Sequence, residues 1–258
     1  MSTAIITGAS KGIGKAIAEE LAKRKINVLL IARTESLLQE QAVFLSEKYG
    51  ITAEYLALDL SDKNAALQIA TWCTEKKVPV KILINNAGYG LSGDFENYSL
   101  ADYQNNLQVN IQVILELTYL LIPLLKQNTP SYILNVCSAA SYQAVPGLTV
   151  YAATKAFLLS LSRGLNYELK PFNIHVTAIA PGATDTDFPV RARVGEKAKK
   201  LADKVNMSPE AVAKIAINGL FAKKAELIPG FINKLSYWLV WLLPKSLTEK
   251  SAAGIYGK

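Results

Sequence analysis

Apolar residues arrive in two rhythms along this chain: short β-branched-rich runs, and longer stretches in which they recur every three or four positions. The short runs predict strands at Ala4–Thr7, Asn27–Ala32, Thr52–Leu58, Lys81–Asn85, Tyr132–Cys137, Asn173–Ile179 and Glu226–Ile228, each followed by turn or helix signals. Between them lie helical patterns, among them Lys15 to Lys25, Tyr103 to Leu125 and Tyr151 to Leu169. Strands alternating with helices at short spacing predict parallel strands joined by helical crossovers, that is, one doubly wound α/β domain with a seven-stranded parallel sheet and helices on both faces. With 258 residues, half of them hydrophobic, the chain is long enough to bury one large core, and residues 1–258 read as a single domain. The least core-like stretch, Asp185 to Lys204, is polar and rich in Arg and Lys, and predicts a mobile flap over about 185–207.

An apolar extension follows over 231–258. Its segment Phe231 to Leu243, with Trp238, Val240, Trp241 and Leu242, is shorter than the roughly 20 residues that span a bilayer and is broken by Asn233 and Lys234. It is expected not to span. A helix covering the substrate cavity or a neighbouring subunit is the favoured use of such a stripe, and peripheral membrane contact the less favoured one.

The net charge of +7 is spread over several helices, and no interleaving of basic and aromatic residues suggests a nucleic-acid platform. No nucleic-acid partner is expected. Cys73 and Cys137 show no metal or disulfide spacing, which points to a reducing compartment without a metal. The start, Met1-Ser2-Thr3-Ala4-Ile5, lacks a charged region followed by a long apolar core, so no secretory signal is expected and a cytoplasmic location is the default.

Chemistry first shows at the end of the first strand, where Gly8-Ala9-Ser10-Lys11-Gly12-Ile13-Gly14 opens the first helical pattern. Strand, glycine-rich turn and helix start form a phosphate cradle: the backbone can approach an anion, and the helix N-terminus offers unpaired N–H groups. The spacing G-x-x-x-G-x-G is not that of the P-loop, and Lys15 is followed by Ala16, so an NTPase is excluded. Further along, Tyr151 and Lys155 are four apart in a helical pattern and share a face. An ammonium there is expected to favour the ionised phenol and tune it for proton transfer near neutral pH.

Thr7 to Gly14, Asn85-Asn86-Ala87-Gly88, Asn110, Ser138, Tyr151, Lys155 and Pro181-Gly182 together resemble, in the same order, the short-chain dehydrogenase/reductase family. The resemblance runs from about Thr3 to about Phe188, and the segment Glu226-Leu227-Ile228-Pro229-Gly230 with the tail after it is similar to one poorly defined bacterial-type branch. It implies a Rossmann-type fold and hydride transfer between a nicotinamide cofactor and a carbonyl or alcohol substrate. Tyr151 would be the general acid/base, with Ser138 orienting and polarising the carbonyl and Lys155 lowering the tyrosine pKa and holding the nicotinamide ribose. Asn110 would mark a helix kink and a water relay to Lys155; a plain core asparagine is its alternative. The same resemblance puts Gly8, Ser10, Lys11, Gly12, Ile13 and Gly14 around the cofactor phosphates, and Asp59 with Leu60 beside the adenine. Asn86, Ala87 and Gly88 would border the adenosine, and Pro181, Gly182, Thr184 and Thr186 would anchor the nicotinamide carboxamide. For Asp59 an N-cap role is the alternative, although Ser61 and Asp62 suit it better; for Thr186 it is capping of the following helix; for Asn86-Ala87-Gly88 it is a structural turn. A homodimer or homotetramer through the helices Tyr103–Leu125 and Tyr151–Leu169 is also implied.

An acid at the end of the second strand would accept hydrogen bonds from the adenosine ribose and repel a 2′-phosphate. Here that position is Arg33, whose guanidinium suits a phosphate, with Ser10 and Lys11 able to add contacts; NADP(H) is therefore favoured over NAD(H). A solvated charge at a helix start is the alternative for Arg33. A Ser-His-Asp hydrolase is rejected, because the only histidine, His175, lies in an apolar strand and no G-x-S-x-G elbow surrounds Ser138. The expected substrate pocket, from Tyr89–Gly93, Ala139–Gly147 and Phe188–Lys204, is mostly small or apolar and suggests an uncharged, partly apolar carbonyl compound. A catalytically idle NADP(H)-binding sensor or scaffold is the alternative, against which the complete Ser, Tyr and Lys set argues.

Overall fold

The computed structural model describes residues 2–203 and 205–256, so Lys204 of the expected flap, residues 257–258 of the expected extension and residue 1 of the domain lie outside the described residues. In chain order the elements are β1 (Thr3–Thr7), α1 (Gly12–Lys23), β2 (Asn27–Ala32), α2 (Glu35–Tyr49), β3 (Ala53–Ala57), α3 (Ala65–Glu75) and β4 (Val80–Asn85). There follow α4 (Leu100–Leu107), α5 (Val113–Gln127), β5 (Ser131–Val136), α6 (Thr149–Leu169), β6 (Ile174–Ile179), α7 (Phe188–Arg191), α8 (Glu196–Ala202), α9 (Pro209–Phe221), β7 (Glu226–Leu227), α10 (Phe231–Leu242) and α11 (Lys245–Tyr256).

All seven strands pair in parallel in the order β3-β2-β1-β4-β5-β6-β7. The chain winds outward from β1 to β3, then returns to the other side of β1 with β4, so the carboxyl ends of β1 and β4 flank the crevice in which open α/β sheets hold ligands. The central strands read as continuous apolar runs because both faces are covered: Ala4, Ile6, Leu30 and Ile84 face one core with α1 and α9, while Ile5, Leu29, Leu83 and Ile133 face the other with α3, α5 and α6. Each fully buried Ile or Leu stabilises the fold by about 1.5–3 kcal/mol.

Two helices depart from the sequence expectation. The first begins at Gly12 rather than Lys15, because the glycine turn itself supplies its first turn. The stretch Tyr103–Leu125 is not a uniform helix: α4 starts at Leu100, behind a capping box between Ser99 and Asp102, and passes through one π-helical turn at Gln108–Gln112 into α5. Although 100–127 is long and apolar enough to cross a membrane, Ile114, Leu117, Leu121 and Leu125 pack on the sheet as core. The region of the expected flap holds α7 and α8, with Ala192, Val194 and Ala198 buried against Ile255 and Tyr256 of α11.

The extension is also more specific than expected. Helix α10 has no buried residue. Its sheltered stripe is Asn233, Tyr237 and Val240, while its large apolar side chains face outward.

Candidate active site

The glycine turn is shaped by contacts that no side chain at its glycines would allow. Gly8 takes a positive φ of 66°, and a Cβ there would lie 2.8 Å from Asn86 Nδ2; a Cβ at Gly14 would overlap the Gly8 carbonyl oxygen. Residue Lys11 precedes α1 with no side-chain cap, so the first N–H groups of that helix are left to face an anion. This is a cradle of the size and polarity a phosphate needs, and the residues present fit a dinucleotide.

Around the cradle, several residues named from the sequence turn out to be engaged elsewhere. Asn86 closes the turn from the side of β4: its Nδ2 donates to the carbonyls of Thr7 (2.9 Å) and Gly8 (3.1 Å), and its own N–H donates to Thr7 Oγ1 (3.0 Å). Its side chain thus serves the turn. Lys11, expected to help with a phosphate, is paired with Asp187 at 2.8 Å, a residue that sequence reasoning missed because it lies 176 positions away. Leu60 is buried in the core, so only its backbone can reach a ligand. Asp59 does not cap α3, and neither do Ser61 or Asp62: the helix begins after Asn64, and Asp59 accepts from the N–H and hydroxyl of Ser61, both at 2.9 Å. Its other oxygen lies 4.0 Å from Arg33, and both side chains are more than half exposed beside the end of β2. Ile13 packs on the core, and Ser10 is half-buried in the turn.

Ser138 and Tyr151 meet just beyond β5. Ser138 heads a short 3-10 turn, Ala139–Tyr142; its Oγ accepts from the Ala140 N–H (3.1 Å), and its own N–H donates to Ser141 Oγ (3.2 Å). Tyr151 lies in the first turn of α6. Burial pushes its phenol up to about 12, while the neighbouring Ser138 hydroxyl pulls the other way. The expected depression by Lys155 is not found: burial sets the direction for the phenol, and it also lowers the pKa of Lys155 itself, which is buried and donates to the Val136 carbonyl at 2.7 Å. The ammonium is 5.8 Å from the centre of the tyrosine ring.

Asn110 is fully buried in the π turn. Its Oδ1 accepts from the Tyr89 N–H (3.1 Å), and its Nδ2 donates to the Tyr89 carbonyl (2.9 Å) and Thr154 Oγ1 (3.2 Å). The extra backbone residue of the π turn places this amide against Gly88, where a Cβ would stand 3.2 Å from Asn110 Oδ1 and 3.3 Å from Lys155 Nζ. Amide and ammonium therefore converge on one point beside the chain at Gly88, with Ala87 held by its N–H on Thr7 Oγ1 at 3.1 Å.

The loop after β6 completes the crevice. The Pro181 carbonyl accepts from the Ala139 N–H at 2.8 Å, joining this loop to the Ser138 turn. Thr184 Oγ1 donates to the Gly182 carbonyl (3.2 Å), and Thr186 Oγ1 accepts from the Phe188 N–H (3.3 Å) just ahead of α7, whose N-cap position is Asp187. Its methyl group also faces Gly12. A cavity of about 380 Å³ opens here, lined by Gly12, Lys15, Asp185, Thr186 and Asp187 among others. A second, of about 420 Å³, lined by Ser2, Pro79, Lys81 and Asn128, lies at the amino ends of the strands, away from this chemistry.

Over Tyr151 the roof is apolar. Phe188 packs on it at a tilt, with centroids 5.1 Å apart and ring planes at 49°, and Gly90 lies against Phe188, Ala192 and Leu148. Two residues given no site role from the sequence brace the site from outside: Glu226 accepts from the Tyr142 hydroxyl and from Arg163 Nε, both at 2.7 Å, and Asn233 of α10 fills the space over Gly182. His175 is at the opposite end of β6, near Tyr132 and Asn173, which rules out a triad with Ser138. Cys73 and Cys137 are buried, unpaired thiols, each pushed up to about 12 by burial.

A phosphate cradle at the switch point of a parallel sheet, beside linked serine, tyrosine and lysine side chains, puts the chain among the dinucleotide-binding α/β oxidoreductases. Its residues 2–197 match the family model of short chain dehydrogenases, and the chain belongs to the short-chain dehydrogenase/reductase family. Similar proteins include a very-long-chain 3-oxoacyl-CoA reductase-B from Danio rerio, 30% identical over 98% of this chain and 79% of that protein. Another is the ketoacyl reductase HetN from Nostoc sp., 32% identical over 88% and 77%. Among solved structures, a short-chain dehydrogenase from Sphingobium yanoikuyae in complex with NADPH is 29% identical over 95% of this chain and 98% of that one, with a TM-score of 0.82.

Proposed function

We propose that this oxidoreductase reduces a partly apolar carbonyl substrate with NADPH, and oxidises the alcohol in reverse, with Tyr151 as the general acid/base. The observation that carries this reading is the placement of Ser138 just beyond β5 and Tyr151 in the first turn of α6, with Lys155 tying that helix to the strand end through the Val136 carbonyl at 2.7 Å, next to the glycine cradle. When bound, the nicotinamide nucleotide supplies or accepts the hydride. Gly8, Gly12 and Gly14 with the head of α1 would hold its phosphates, Arg33 a 2′-phosphate, and the loop Pro181–Thr186 its carboxamide end.

Ser138 can turn its O–H toward a substrate oxygen while its Oγ accepts from the Ala140 N–H. That donor stabilises charge developing on the oxygen. Tyr151, whose phenol stays protonated at neutral pH, delivers its proton to the same atom. Lys155 and Asn110, converging beside Gly88, supply a charge and an amide through which the proton can be replaced. Phe188, Leu148 and Ala192 exclude water and favour an apolar substrate; the 3-oxoacyl reductases among the similar proteins make 3-oxoacyl thioesters the first compounds to try. Exposed Leu107, Leu115, Tyr119 and Phe157 on α4–α6 support assembly as a homodimer or homotetramer, and the two unpaired thiols support a reducing, cytoplasmic setting.

The test is titration with NADPH and NADH, then turnover on a panel of 3-oxoacyl thioesters and other apolar ketones. Tight NADPH binding with turnover that Tyr151→Phe abolishes is the expected result. Tight binding with no turnover on any carbonyl would favour the idle sensor, and no binding of either nucleotide would sink the reading.

A further inference from the structure

Helix α10 is amphipathic the wrong way round for a helix that stabilises a core. Its stripe toward the body is Asn233, Tyr237 and Val240: Asn233 caps the space over Gly182 and donates to the Pro229 carbonyl at 2.7 Å, while Tyr237 packs edge-on against Tyr142. Solvent receives Phe231, Ile232, Leu235, Trp238, Leu239 and Leu242, with Phe231 81% and Trp241 65% exposed. At 100° per residue these side chains span about half of the helix circumference, so they form one face rather than scattered contacts. A contiguous apolar surface of this kind marks an interaction site.

We propose that this face docks the protein on the surface of an anionic lipid bilayer, with α10 lying in the plane of the headgroups. Charge selects this occupant. Between Phe231 and Tyr256 the chain carries Lys234, Lys245 and Lys250 against the single acid Glu249, and the whole chain is at +7. Lys234 is exposed within the apolar face itself, four residues before Trp238 and seven before Trp241. In a bilayer its stem lies along the apolar region while the ammonium reaches a lipid phosphate. A second copy of this chain would bring an equally basic helix to the same face, and that excess of like charge disfavours self-association. Two tryptophans beside lysines also match the headgroup layer, where an amphipathic ring has both an apolar and a wet side.

The test is flotation of the purified full-length protein with vesicles of phosphatidylcholine alone or of phosphatidylcholine with phosphatidylglycerol, together with light scattering in solution. The expected result is co-flotation with the anionic vesicles and a blue shift of tryptophan emission. Trp238→Gln/Leu242→Gln should cut the vesicle-bound fraction about tenfold, and Lys234→Gln/Lys250→Gln should abolish the preference for anionic lipid. All four side chains are exposed, so melting temperature should not change. Failure to float with either vesicle, or flotation undiminished by the Trp238/Leu242 variant, overturns the proposal. A solution dimer that this variant splits, without vesicle binding, assigns the face to a second copy and overturns it as well.

Discussion

Lys155 spans from α6 to the carbonyl of Val136, the last residue of β5, over 2.7 Å, and lies 5.8 Å from the centre of the Tyr151 ring. One ammonium therefore ties the helix that carries Tyr151 to the strand end that leads into Ser138. The two hydroxyls keep their spacing because their supports are pinned together in a buried setting, where a hydrogen bond to a charged group is worth about 1.5–3 kcal/mol.

The phenol of Tyr151 gives a prediction in pH. Its value in the folded chain is raised from 10.0 to about 12, so the folded state keeps a proton that the unfolded state releases between those values. The stabilising contribution is complete below pH 10 and disappears as pH rises toward about 12. Urea denaturation across that range should show stability falling more steeply for the wild type than for Tyr151→Phe. At neutral pH the same variant should lose about 10²–10⁴-fold in kcat while binding NADPH with unchanged affinity.

Arg33→Ala addresses the cofactor. Loss of a charge-assisted contact to a 2′-phosphate should weaken NADPH binding about tenfold to a hundredfold and leave NADH binding unchanged, as read by fluorescence titration. Equal weakening of both nucleotides would assign Arg33 to general electrostatics around Asp59 instead.

Gly14→Ala forces a methyl group onto the Gly8 carbonyl and Asn86 Nδ2. Overpacking of this kind destabilises by about 1–3 kcal/mol, and the displaced turn should also lose nucleotide affinity. Thermal unfolding and titration on the same sample separate the two effects.

Glu226→Ala removes the acceptor of the Tyr142 hydroxyl and the partner of Arg163. A half-buried phenol left without a partner costs about 1–3 kcal/mol, and the freed turn after Ser138 should lower kcat. Glu226→Gln, which keeps an acceptor for Tyr142, should recover most of the stability.

How much of this could be read beforehand follows from the range of the interactions. The seven strands and their order of appearance were legible because each is a local apolar run bounded by turn residues; some ends shifted by one position where a single bridge pair decides the limit, as at Lys81 and Asn173. Ser138, Tyr151, Lys155 and Asn110 were legible as residues, and the structure brings them together at one edge of the sheet. What their environment does to them was not: burial, a sum over neighbours from distant segments, reverses the shift expected for Tyr151. Asp187, Glu226 and Asn233 were illegible for the same reason, since each acts on a partner 51 to 176 positions away and leaves no local pattern. The outward face of α10 was half legible: its stripe is in the sequence, but which side meets the body depends on Asn233 finding Gly182.

That last contact also bears on how such a chain can diverge. Because Asn233 fills the space a side chain at 182 would need, the two positions cannot change independently: any residue larger than glycine in the loop demands a smaller one than asparagine on the helix, or a helix set further out. The outer face of α10 is under no such constraint and can be rewritten freely. A lineage that leaves its docking surface behind can therefore do so without disturbing the loop beneath it.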